Sequence, residues 1–235
     1  MRPFVLAVAL AVLAIPVAAI NVSLPNKNDS MKVAIKPLLD DGVKFYAALG
    51  NHDDRELQRK YKNFNMGGES YYTFKLPKQG VRVFALESSY MDSKQREWLE
   101  RELKPSTDNW KIVIMHHPLY STGKAHGPSV SLRQVLEPLF VKYGVSVVFA
   151  GHEHFYERIT PQQGIQYFIE GGSGQLRKGN IKHDPKYEAK GFDTGHSFML
   201  VEFEGDAMYF QAFSQDGGTV DEGTIARRKM ERAGQ

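Results

Sequence analysis

Apolar residues gather in short dense runs along this chain. Residues 43–49, 81–86, 112–115, 145–150 and 165–169 are each rich in Val, Ile, Leu, Phe or Ala and are bounded by polar or turn-forming residues. Runs of that length and content predict buried strands. Residues 71–76 precede 81–86 across Pro77-Lys78-Gln79-Gly80, which reads as a hairpin. Helical spacing marks two other stretches. Asp92, with Gln95 three residues later, makes a capping box ahead of Trp98, Leu99 and Leu103. Ser131 with Gln134 is the candidate cap of a second helix, whose Leu132, Val135, Leu136, Leu139 and Phe140 form one apolar stripe. A shorter helix is expected over 31–39, interrupted by Pro37 and stopped by Asp41-Gly42, and 53–65 reads as charged helix or loop. Strands at 198–203 and 207–213 flank the turn Glu204-Gly205-Asp206. Strands and helices alternate in the middle with hairpins before and after, the pattern of a mixed α/β sandwich.

Three of the strand-like runs end on metal-ligand chemistry. Residues 45–49 run into Gly50-Asn51-His52-Asp53, 111–115 into His116-His117-Pro118, and 147–150 into Gly151-His152-Glu153-His154. If the last segment stays extended, side chains two apart point the same way, so His152 and His154 aim at one place. A single histidine at a strand end is ordinarily a partly exposed polar residue. Three such ends in one chain, all bearing donors suited to a divalent ion, point to a site.

Composition narrows the setting. The 235 residues are 42% hydrophobic, enough for one domain with a sizeable core and no staples. Net charge is +3 with both signs interspersed, too mild to argue for nucleic acid. Cysteine is absent, which excludes disulfides and zinc-thiolate sites. Arg2, the apolar run 4–15 and the small residues Val17-Ala18-Ala19 have the layout of a signal peptide over 1–19, so a secreted or periplasmic product is expected. That run is too short for a stable membrane anchor. Residues 20–37 then read as a linker, 38–215 as the folded domain, and 216–235 as a polar tail that frays.

The ordered set Gly50-Asn51-His52-Asp53, His116-x-Pro118 and Gly151-His152-x-His154 resembles the calcineurin-like metallophosphoesterases. The stretches Phe155-Tyr156-Glu157-Arg158 and Met115-His116-His117-Pro118-Leu119-Tyr120-Ser121 are similar to the purple acid phosphatase branch. The resemblance implies a four-layer αββα sandwich of mixed sheets with a binuclear site at the strand ends. It implies Asn51, His116 and His152 as ligands of one metal and His154 as a ligand of the other, the ions being iron, zinc or manganese. Phosphomonoester hydrolysis by metal-activated hydroxide follows, on a phosphorylated small molecule. His52 would face the leaving-group oxygen, Asp53 would hold that imidazole, and His126 would contact the substrate phosphate. His117 is expected behind the ligands rather than among them, Glu153 to point away, and Arg158 to pair structurally. His183 and His196 carry no motif, and 171–174 reads as a loop bordering the pocket. Two family motifs, Asp-x-His and Gly-Asp, have no counterpart before Gly50, so the sandwich is expected to be N-terminally incomplete and the second metal position to keep His154 alone. The competing expectation is a non-catalytic relative that binds phosphate, one metal or a partner. The residues leave oligomeric state open.

Overall fold

Each apolar run at the centre of the chain has inward-facing side chains on two sides, and it can satisfy both only between two layers. The structure, a computed structural model, describes residues 36 and 38–229. In it β1 (Tyr72–Leu76), β2 (Val81–Ala85), β3 (Trp110–Ile114), β4 (Val147–Ala150), β5 (Tyr156–Gln162), β6 (Ile165–Glu170) and β7 (Glu188–Phe192) form one mixed sheet in the order β1-β2-β3-β4-β6-β5-β7. Its middle strands β2, β3, β4 and β6 are parallel. The strands β8 (Ser197–Glu204), β9 (Ala207–Ser214) and β10 (Thr219–Ala226) form a separate antiparallel sheet. The helices α1 (Arg55–Lys60), α2 (Ser93–Leu103) and α3 (Val130–Tyr143) accompany them.

Alternation along β2 shows how the layers are made. Val81, Val83 and Ala85 pack with Ile112, Ile114, Val147 and Phe149 against Met199, Val201, Met208 and Phe210 of the small sheet. Phe84 and Leu86 point the other way, with Val113, Met115 and Val148, onto Leu99 and Leu103 of α2 and Leu136 and Phe140 of α3. Helices, large sheet and small sheet therefore stack in that order, which gives three of the four layers of the expected αββα sandwich.

Several expectations need correcting in detail. Residues 43–49 are buried at Phe45, Ala47, Ala48 and Leu49, yet they belong to neither sheet. They pack on Phe64 and Met66, and the Tyr72 hydroxyl accepts from Ala47 N (2.9 Å) and donates to Ala47 O (2.8 Å). A side chain thus takes the place of a strand partner. Helix α3 starts before the proposed Ser131 cap, with Ser129 at the cap position directly after Pro128. Asp92 does cap α2 by accepting from Gln95 N at 2.8 Å, but the Gln95 side chain turns away to the backbone of Glu87, so only half the capping box forms. The tail expected from 216 is corrected most strongly. Thr219–Ala226 pairs with β9, and buried Asp221 accepts from the Tyr156 hydroxyl and from Arg158, each at 2.7 Å. Polar residues misled here because their partners are polar too, and Arg158 pairs structurally as expected. Of the helix expected over 31–39, residues 36 and 38–39 are described and helical, as is residue 40, before the turn at Gly42. The signal peptide and most of the 20–37 linker lie outside the described residues, as does 230–235.

Candidate metal centre

The parallel strands β3 and β4 end side by side, and the chain beyond each supplies an imidazole. The ladder continues past the strands through Met115 N to Phe149 O and Gly151 N to His116 O, which fixes the His116 backbone beside the glycine that precedes His152. Residues 50–53 arrive from the buried 43–49 segment and close a turn. Gly50 N donates to Asp53 Oδ2 at 2.7 Å and Asp53 N to Gly50 O. Gly50 has to be glycine, since an added Cβ would stand 2.7 Å from His116 Nδ1.

The donors meet at His116. Its Nε2 lies 2.8 Å from Asn51 Oδ1 and 3.0 Å from His152 Nδ1. Ligands of one ion with bonds of roughly 2 Å sit about 3 Å from each other, so these separations suit a shared ion. His152 reaches this position differently from the extended-segment expectation. It has φ +67°, the left-handed region that non-glycine residues occupy rarely, and residues 152–155 bend rather than run as a strand. Strain of that kind is kept where surrounding contacts over-determine it. His117, expected behind the ligands, lies near them, in a group with His116 and His152 whose ligand atoms all lie within 4.8 Å. Its Nδ1 is 3.0 Å from Ser88 Oγ, which also accepts from His117 N.

Electrostatics keep these rings uncharged. Burial holds His116 down to about 2, helped by the neighbouring imidazoles, and His152 down to about 3. His154 is pushed down to about 4 by burial and by the Arg177 guanidinium, and its Nδ1 is buried without a hydrogen-bond partner. Neutral imidazole is the form that binds metal. The donor chemistry therefore fits one ion at Asn51, His116 and His152, with His117 alongside. A second ion fits poorly. His154 offers a free donor, but among the described residues the group able to hold an ion contains no carboxylate to offset two dications.

The other site residues lie around this centre. His52 is exposed, next to Asn51 in the turn closed by Asp53. Asp53 is turned onto the Gly50 backbone, and burial pushes its carboxyl up to about 6. The His126 ring lies over His152 with centroids 4.3 Å apart. Glu153 points away as expected and is fully buried. It accepts from His126 N, Gly127 N (2.6 Å) and Asn180 Nδ2 (2.9 Å), so it fastens the loop that carries His126. Arg177 was not anticipated. It is a lone arginine after a glycine-rich turn, a signal too weak to act on without knowing where that turn leads.

Glu170, at the end of β6, is buried with Oε1 accepting from Ser197 Oγ at 2.9 Å and Oε2 unpartnered. Burial pushes its carboxyl from 4.5 up to about 8. The folded chain keeps a proton that the unfolded chain releases above about 4.5, so this group's stabilisation is complete below that pH and is lost as pH rises through 8. Glu170→Gln should remove a slope of about 1.4 kcal/mol per pH unit across that window. Unfolding free energies measured at several pH values would show it, and parallel profiles for parent and variant would refute it.

Comparison with known proteins bears on this arrangement. The profile of the calcineurin-like phosphoesterases matches residues 25–156 of the 235. The chain belongs to that family. Among curated relatives, the Fe(3+)-Zn(2+) purple acid phosphatase 12 of Arabidopsis thaliana is 31% identical over 64% of this chain and 38% of its own length. The chain spans less than half the length of the first plant purple acid phosphatases it matches. Two solved structures share the fold. GAP50, the anchor in the inner membrane complex of Plasmodium, superposes with a TM-score of 0.68 at 18% identity, over 80% of this chain and 67% of its own. A dimetal phosphatase from Danio rerio does so with a TM-score of 0.62 at 15% identity, over 86% and 78%. No helix among the described residues of this calcineurin-like phosphoesterase is long and apolar enough to cross a membrane.

Proposed function

We propose that this chain is a metal-dependent phosphoesterase of acid-phosphatase type that hydrolyses phosphomonoesters of small molecules. The observation that carries the reading is the meeting of Asn51 Oδ1 and His152 Nδ1 on His116 Nε2, within 3.0 Å, from three separate segments. Asn51, His116 and His152 hold the ion, and His154 is the donor left for a second. The donors suit iron, zinc or manganese, and the Arabidopsis relative is named for iron and zinc. The bound metal would supply Lewis-acid polarisation of a phosphoryl oxygen.

The remaining roles fall to side chains. His126, over the His152 ring, contacts the phosphate. His52, exposed next to Asn51, delivers a proton to the departing alkoxide oxygen. Asp53 acts on His52 through the turn they share, its Oδ2 closing that turn on Gly50 N rather than holding the ring. The N-terminal apolar run supports export of the product. Turnover of p-nitrophenyl phosphate with added manganese, zinc or iron tests the reading. We expect hydrolysis that depends on the metal and is lost in His152→Ala. A parent rate no higher than that of the variant sinks it.

A further inference from the structure

Every histidine that lines the centre with a depressed pKa is held neutral, and the carboxylates nearby are engaged elsewhere. Glu153 is spent on the His126 loop and Glu87 pairs with Arg55. Beside His126 and His154 stands a permanent cation, Arg177. Its Nη1 lies 3.1 Å from His126 Nε2, and its field reaches His154. Among the described residues it forms no ion pair with a carboxylate. The guanidinium donates, so His126 accepts at Nε2 and carries its proton on Nδ1.

The position of this arginine is fixed by backbone on both sides. Arg177 N donates to His154 O at 3.0 Å, directly on the segment that bears the candidate ligands. Three residues on, Asn180 donates its side-chain amide to Glu153 and accepts Lys124 N at 2.8 Å, which joins the arginine loop to the loop carrying His126. The guanidinium is thus placed beside the imidazole expected to touch phosphate, on a half-buried residue with no carboxylate paired to it among the described residues. A planar fork of donors in such a place matches phosphate oxygens two at a time.

We propose that Arg177 is a substrate-binding residue, supplying with His126 the metal-independent half of a subsite for the terminal phosphoryl group. The proposal deepens the phosphoesterase reading and rests on it for the identity of the anion. Guanidinium charge and geometry then add to the site a positive group that stays in place whether or not a metal is bound.

The test is titration of the full chain with inorganic phosphate after chelation of metals, near neutral pH, by calorimetry. Arg177→Ala should weaken phosphate about tenfold, the scale of one charge-assisted contact. Arg177→Lys, which keeps the charge without the fork, should fall between the two. Thermal unfolding of both variants should match the parent, since the backbone N–H to His154 O is kept and the side-chain contact with His126 is exposed. A parent that does not bind phosphate, or a folded Arg177→Ala variant that binds it within twofold of the parent, overturns the proposal. Absence of p-nitrophenyl phosphate turnover in a parent that binds phosphate through Arg177 would instead count against the phosphoesterase reading alone.

Discussion

Replacement of His116 by alanine is expected to weaken zinc or manganese binding, and any phosphatase turnover, by more than about a hundredfold while the chain still folds. Removing a group that merely supports a metal ligand already costs about 10- to 100-fold, and His116 is the donor to which both others turn. Without it, Asn51 Oδ1 and His152 Nδ1 lose their shared neighbour at 2.8 and 3.0 Å. A second signature separates this from general damage. Burial holds the ring down to about 2, against an ordinary value of 6.5. The folded metal-free chain therefore refuses a proton that the unfolded chain accepts, and its stability falls as pH drops below 6.5. From this residue alone the loss at pH 5 is about 2 kcal/mol. His116→Ala should lose metal and, in the metal-free state, become less sensitive to acid than the parent. Metal affinity within about threefold of the parent would remove His116 from the centre.

The motifs were legible because metal-ligand residue types cannot be disguised, and because each followed a dense apolar run. How they converge was not. Parity along an extended segment placed His152 and His154 together, whereas the chain brings His152 in through a left-handed turn, and φ at one residue leaves no trace in composition. The segment 43–49 has strand composition and is buried, yet β1 holds the sheet edge and a tyrosine hydroxyl does the pairing. Burial was readable there and sheet membership was not, since membership depends on a partner more than twenty residues away. In β10 the reverse holds. Asp221 looks like a surface residue until Tyr156 and Arg158, from another sheet, are seen to satisfy it. Arg177 belongs with these, since its meaning comes from His126 and His154, far from it in the chain.

The glycine-rich turn after β6 makes the coupling between fold and site testable. Gly171→Ala should destabilise the chain by about 3 kcal/mol or more, at the top of the range for overpacking. The cause is crowding and not backbone conformation, because Gly171 is not among the residues with positive φ. An added Cβ would stand 2.0 Å from the carbonyl oxygen of Glu153 and 3.4 Å from the Gly151 carbonyl carbon. Both are backbone atoms, so no rotamer relieves the contact. The chain can give way only by moving the 151–154 turn, which aims His152 and His154, or by freeing Gly171 N from Phe155 O. Gly205→Ala is the control. Gly205 has φ +55° with nothing within 4 Å of an added Cβ, so it should cost only the left-handed penalty of about 1 kcal/mol. Urea unfolding reads both losses, and metal titration reads whether Gly171→Ala also disturbs the centre. Equal losses in the two variants would mean that the turn yields freely, and a turn that yields freely could not hold His152 in its strained position.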